Sequence, residues 1–147
     1  MTDGKVLFDT NVLVYAIDEL SEKHEEALEA MQDKSFEHLG AVSVQNLAEF
    51  SRLLTEKYPR RKTFAEVRAA VLEMSEALEV IAYDHQTVGE ALSMCAEYRL
   101  HFFDALIAAA MLKADVKTIV TENEKDFRKI PWMKVVNPFK PDPAQRR

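Results

Sequence analysis

Three acidic residues stand alone in apolar surroundings. Asp104 is the single charge in FFDALIAAAML, from Phe102 to Leu112. Asp9 is the single charge in VLFDTNVLVYAI, from Val6 to Ile17, and Glu49 the single charge in AVSVQNLAEF, from Ala41 to Phe50. In a chain where 30% of residues are charged, such runs are depleted of charge. A carboxylate inside an apolar element costs on the order of several kcal/mol unless it is paired or holds a cation. No Lys or Arg lies in any of the three segments to pair with it. The pattern points to one site that collects carboxylates around a cation.

Each acid also has a plainer role open to it. Asp9 precedes a helix-like run, where Asp is a favoured N-cap, and Asp104 falls where acids favour the first turn. Glu49 lies between Ala48 and Phe50 within a helix, where no cap needs it. The stretch KYPRRK, Lys57 to Lys62, sets four cations in six residues beside a helix end. It suits either RNA phosphates, through Arg60, Arg61 and Lys62, or a solvated loop. His24, His38, His85 and His101 show no paired ligand spacing. His101 stands where it would cap the Asp104 helix weakly. Phe102, Phe103, Leu106, Ile107, Met111 and Leu112 read as core. With three glycines, Gly4, Gly40 and Gly89, the chain has neither a phosphate-binding P-loop nor a dinucleotide fingerprint, and no G-x-S-x-G elbow is present.

The elements that must position the acids follow from periodicity. Lys5 to Phe8 is a short strand-like run, after which Asp9, Thr10 and Asn11 open a helix. Glu22 to Asp33 is amphipathic. Gly40 introduces a second strand, Ala41 to Ser43, and Ser43 caps a helix running to about Tyr58, where Pro59 ends it. A helix over Thr63 to Ala77, a strand over Val80 to Ala82, and a helix capped by Asp84 and running through Tyr98 come next. Helix Phe102 to Lys113, strand Thr118 to Thr121 and a last strand around Val135 and Val136 complete the pattern. Short strands alternating with helices predict a three-layer α/β/α fold with a mostly parallel sheet of four to five strands. Ligands bind outside the carboxyl ends of such strands, which is where Asp9 and Thr121 stand.

A length of 147 residues suits one domain, taken as residues 1–138, with the proline-rich 139–147 as a disordered tail. No uncharged run approaches the ~20 residues that cross a bilayer. The start MTDGKVLFD lacks the basic region of a secretory signal, and Cys95 has no second cysteine to pair with. Both favour a cytoplasmic protein. A net charge of −6 excludes a general nucleic-acid coat protein but not an enzyme acting on nucleic acid.

The pieces FDTNVLVYA (Phe8 to Ala16), QNLAEF (Gln45 to Phe50), FFDALIAAA (Phe102 to Ala110), TENEKDF (Thr121 to Phe127) and KVVNP (Lys134 to Pro138) stand in an order that resembles the PIN-domain nucleases. Within them the likeness is to VapC-type toxins of toxin–antitoxin pairs. The resemblance implies a Mg²⁺- or Mn²⁺-dependent endoribonuclease in which Asp9 and Asp104 bind the metal and Glu49 binds or orients a metal water. Thr10 and Asn11 brace the first acid, with Thr121 and Asn123 supporting. It also implies an RNA substrate, an antitoxin partner and a homodimer. Phosphodiester hydrolysis needs a nucleophilic water and stabilisation of charge on the phosphoryl and leaving oxygens, both of which such ions supply. At the fourth acidic position the family often has an acid where this chain has Asn123. Asp126 is favoured there over Glu122 and Glu124. A haloacid-dehalogenase-type phosphotransferase would need a second Asp at position 11, which is Asn11. A PIN nuclease of RNA processing outside a toxin pair, or a catalytically weak PIN module that binds RNA or protein, are the remaining alternatives.

Overall fold

The computed structural model describes residues 4–139. Five short strands, β1 (Val6–Phe8), β2 (Gly40–Ser43), β3 (Glu79–Ile81), β4 (Thr118–Val120) and β5 (Lys134–Val136), form one sheet in the order β3-β2-β1-β4-β5. Every neighbouring pair is parallel, with Leu7 opposite Ala41 on one side and Ile119 on the other. The central strands are apolar without alternation because both of their faces are covered. Leu7, Ala41 and Ile119 pack on one side with α5 (His85–Tyr98) and α6 (Phe102–Lys113). Val6, Phe8, Val42 and Val120 pack on the other with α1 (Thr10–Ile17), α2 (His24–Phe36), α3 (Val44–Arg52) and α4 (Phe64–Ala77).

Helix α6 is apolar nearly all round because it is enclosed, with Ala105 to Met111 all buried. Its two margins correct the expected core. Phe103 is 61% exposed and Leu112 43% exposed. They lie at the helix ends, beyond the reach of the sheet, and Phe103 rests edge-on against Phe102 at 5.3 Å. Helix α2 runs to Phe36, three residues past its expected end at Asp33. A four-residue helix, α7 (Glu124–Phe127), is an addition to the expected elements; it is too short to show a period.

The helix expected to reach Tyr58 does so in two forms. After Arg52 it widens into a π-helical segment, Leu53–Lys57, closed by Tyr58 N–H donating to the Leu53 carbonyl at 2.7 Å. The hydroxyls of Ser51 and Thr55 donate back to Leu47 O and Ser51 O, each at 2.7 Å, which loosens the regular ladder. Tyr58, preceding Pro59, is extended at ψ 141°.

That end of α3 is fastened to the end of α1. Asp18, the C-cap of α1, is buried and accepts from Tyr58 Oη and from Arg60 Nε and Nη2, the last at 2.5 Å. The Arg60 guanidinium, followed by the Tyr58 hydroxyl, holds the Asp18 carboxyl well below the usual carboxylate range. Arg60, expected as a phosphate contact, has its guanidinium paired with Asp18 through Nε and Nη2. Arg61 donates to Glu56 O at 3.3 Å, and the Lys62 backbone donates to Leu54 O at 2.8 Å.

The expected tail lies outside the described residues from 140 onward. Phe139 packs against the α1 side of the core, with its ring edge-on to Tyr15 at 5.3 Å. Among the described residues, no helix is long and apolar enough to cross a membrane.

A carboxyl whose pKa is depressed by folding adds stability above its unfolded pKa of about 4 and loses it as pH falls through the folded value. Arg60→Ala therefore lowers the melting temperature at pH 7, and its deficit narrows as pH falls below about 4. Thermal melts of both proteins between pH 7 and pH 3 check this; a deficit constant across that range would disconnect Arg60 from Asp18.

Candidate active site

The strand order reverses direction at β1, and in sheets of this kind ligands bind beyond the carboxyl ends of the strands at such a switch point. Asp9 follows β1 directly, and its backbone N–H donates to Val120 O at 3.0 Å, tying the two strand ends together. It is the N-cap of α1, as its type suggests, with Oδ1 accepting from Thr10 N at 2.8 Å. The cap leaves the rest of the carboxylate for other donors. Thr121 Oγ1 donates to Oδ2 at 2.8 Å, and Asn46 Nδ2 and Asn11 Nδ2 reach the carboxylate at 3.4 and 3.5 Å. Desolvation raises the Asp9 pKa, opposed by the Thr121 and Thr10 hydrogen bonds, with Glu49 adding repulsion.

Glu49 projects from the middle of α3 toward the same place. Its Oε2 accepts from Thr10 Oγ1 at 3.1 Å and its Oε1 from Gln45 Nε2 at 2.8 Å. Asn46 organises this side. Its Oδ1 accepts from Ser43 N and Oγ in a capping box, while Nδ2 donates to Thr10 Oγ1 at 3.1 Å. Gln45 Nε2 also donates to the carbonyl of Phe103, at 3.1 Å, one residue before Asp104. Gln45 Oε1 is buried with no partner, an arrangement that costs about 1–3 kcal/mol.

Asp104 lies half-buried in the first turn of α6, whose N-cap His101 makes no side-chain cap bond. Its pKa is pushed up to about 6 by burial first, then by the charges of Asp9, Asp126 and Glu49, with His101 opposing. Three elements thus bring Asp9, Glu49 and Asp104 into one field. Among the described residues, no Lys or Arg makes an ion pair with any of them.

The residues after β4 divide. Asp126, on α7, contributes to the field at Asp104 and also pairs with Lys129 at 3.3 Å. Glu122 turns to Tyr15 Oη and Lys23, and Glu124 to Arg128 and Asn137. Asn123 is exposed, and its backbone N–H donates to Thr121 Oγ1 at 3.0 Å. Asn11 Oδ1 accepts from Glu122 N at 3.2 Å, so Asn11 braces both the β1 and β4 loops. Gln45, Asn46 and Ser43 belong to the site and carry no mark in the sequence as strong as the acids do. Gln45 stands four residues before Glu49, a spacing that puts both on one helix face and is the one signal that could have found it.

Among the described residues, no three acid, histidine or cysteine side chains close on one another tightly enough to enclose an ion unaided. The donor set still fits a divalent cation. Mg²⁺ takes one or two carboxylates and keeps several waters, so it needs an open, oxygen-lined, anionic crevice and no closed cage. The mutual repulsion felt at Asp104 is what such an ion would relieve.

A PIN domain model matches residues 6–133, and the chain belongs to the PIN domain family, a family of nucleases. No curated protein sequence matches it. Among solved structures it is similar to a toxin–antitoxin complex from Klebsiella pneumoniae, with 25% identity and a TM-score of 0.69 over 93% of this chain and 100% of that one. It is also similar to the Mycobacterium tuberculosis toxin VapC20, described as cleaving the sarcin–ricin loop, with 20% identity and a TM-score of 0.70 over 90% and 100% of the two chains. The VapBC2 complex of Rickettsia felis, bound to a DNA fragment from its promoter, shares the fold at 20% identity and a TM-score of 0.68, over 90% and 97%.

An acid with a raised pKa favours folding when protonated. In metal-free protein, Asp104 therefore adds stability as pH falls from about 6 toward its ordinary value of 3.8. With chelator present, Asp104→Asn melts above the parent at pH 7, and the gap closes toward pH 4. Equal melting temperatures at pH 7 would mean that the Asp104 charge is not opposed in the fold.

Proposed function

We propose that this PIN domain protein is a divalent-metal-dependent endoribonuclease and the toxin of a VapBC-type toxin–antitoxin pair. The observation that carries the reading is the convergence of Asp9, Glu49 and Asp104 from the end of β1, α3 and α6, with Asp9 and Glu49 held by neutral donors and both acids acting on Asp104. Asp9 and Asp104 would hold Mg²⁺ or Mn²⁺, with Glu49 binding or orienting its water. A bound ion supplies Lewis acidity toward the phosphoryl oxygen and makes a nucleophilic water accessible near neutral pH. The protein's part is to aim the acids, whose ionisation burial and mutual repulsion oppose and a bound cation would favour. Thr121 and the Thr10 backbone fix the two oxygens of Asp9, and Thr10 relays from Asn46 to Glu49. Asp126 is the fourth acid of the site, supported by its charge at Asp104 and by the diversion of Glu122 and Glu124 to other partners.

RNA as substrate is supported by the similarity to a toxin described as cleaving the sarcin–ricin loop. An antitoxin partner is supported by the similarity to several toxin–antitoxin complexes. A homodimer and a cytoplasmic site of action accompany that reading. Asn123, standing where an acid is common, favours one second reading: a PIN module of weak catalytic power that binds RNA or protein. A PIN nuclease of RNA processing differs only in having no inhibitor encoded beside it.

Purified protein incubated with structured RNA is expected to cleave in Mg²⁺ or Mn²⁺ and to stop in EDTA, while Asp9→Asn and Asp104→Asn fold but do not cleave. Cleavage that survives EDTA sinks the mechanism. Coexpression with the product of an adjacent small gene is expected to give a tight complex with suppressed cleavage. An active protein that no neighbouring product inhibits would keep the nuclease and remove the toxin.

RNA binding through the basic loop rests on Arg61 and Lys62, since Arg60 serves Asp18. Arg61→Ala with Lys62→Ala is expected to flatten the salt dependence of RNA affinity by about one log–log unit for each phosphate no longer neutralised. An unchanged slope assigns the loop to solvent.

A further inference from the structure

Gln45 occupies a position that an inert residue would fill more comfortably. It is 6% exposed, and its amide has one usable orientation. Nε2 donates to two oxygens, Glu49 Oε1 at 2.8 Å and Phe103 O at 3.1 Å. Turning the amide over would set Oε1 against both acceptors. The orientation that makes two donor bonds therefore leaves Oε1 as the one buried side-chain polar atom without a partner among the described residues. A methionine of similar length would remove that orphan, but with it the two bonds that the amide donates to Glu49 Oε1 and Phe103 O. An unsatisfied buried group in a native fold points to a local role that opposes stability.

The two oxygens that Gln45 joins show what that role is. One belongs to a site acid on α3; the other lies in the first turn of α6, one residue from a second site acid. Glu49 is otherwise held at Oε2 by Thr10, which belongs to the Asp9 loop. Gln45 thus adds a link from Glu49 to the Asp104 helix to the link already made to Asp9.

We propose that Gln45 is a positioning residue of the acid site, setting the Glu49 carboxylate against the first turn of α6 so that Glu49 and Asp104 face one cation. This rests on the reading of the site as a cation site. The residue touches no reacting atom and acts through Glu49.

Mn²⁺ binding, measured by calorimetry and by paramagnetic broadening of water relaxation, tests it without any nuclease assay. Gln45→Met removes the orphaned oxygen together with both amide donor bonds, and a cooperative melt in chelator shows that the variant folds. Its Mn²⁺ dissociation constant is expected to rise about tenfold, the low end for losing a group that orients a ligand. Gln45→Asn, a methylene too short to span both oxygens, gives the same loss and serves if the methionine variant does not fold. In a Glu49→Gln background neither substitution weakens Mn²⁺ binding further, since the residue acts through that carboxylate. Parental Mn²⁺ affinity in either variant, or losses that add to that of Glu49→Gln, overturn the positioning role alone. A parent protein that binds no Mn²⁺ overturns the cation site and this inference with it.

Discussion

Helix α1 carries a buried aspartate at each end, and the contrast between them organises the molecule. Asp9 is its N-cap and Asp18 its C-cap. At the N-terminus the helix dipole and free N–H groups favour a negative charge; at the C-terminus they oppose one. Asp18 is accordingly neutralised by the Arg60 guanidinium and a phenol. Asp9 is held by two hydroxyl or backbone donors and two amides, none of them charged. Neutral donors fix a carboxylate in place without cancelling its charge. One end of the helix is fastened, and the other is left with charge to offer.

The surrounding architecture keeps that charge in company. Parallel strands covered on both faces can expose backbone ends only at their edges, so the loops after β1 and β4 are where polar side chains collect. Helix α6, enclosed on nearly every side, delivers Asp104 at its first turn because the turn is where the helix emerges from the core. Helix α3 brings Glu49 from the other layer, and its far end is anchored to α1 through Tyr58 and Asp18. The same two helices are joined near the site by the Asn46–Thr10–Glu49 relay. The relative setting of α1 and α3 is therefore fixed at two separated points, and the acids they carry share that setting.

What could be read from the sequence was whatever left a mark in pattern or charge. The alternation of short apolar runs with helical spacing was enough for a mostly parallel sheet of four to five strands and its helices, because burial on both faces makes such strands uniformly apolar. Asp9, Glu49 and Asp104 stood out because acids are rare inside such runs. Gln45 and Asn46 carry no charge and sit in a helix's first turn, where polar residues are ordinary, so their links to Phe103 and Asp9 were invisible. The pairing of Asp18 with Arg60 depends on tertiary contact between segments far apart in the chain. It left the KYPRRK stretch looking like a free basic loop. Phe103 looked like core because composition does not report where a helix leaves the sheet.

The stretch after β4 shows why its acids could not be ranked by spacing alone. Thr121 Oγ1 accepts from Asn11 Nδ2 and from Asn123 N, which uses both of its acceptor sites, and its one proton goes to Asp9. A hydroxyl so occupied has no freedom left, and the backbone through residue 123 is drawn back toward β1. That turn carries Glu122 outward to Tyr15 and Lys23 and starts α7 at Glu124, whose side chain meets Arg128 one turn on. Asp126 follows within the same short helix, on a side from which its charge acts on Asp104. The course of the chain past these acids is thus tied to the hydrogen bonds of Thr121, earlier in the same stretch. The commitment of that threonine to Asp9 is a property of the folded crevice, not of the local sequence.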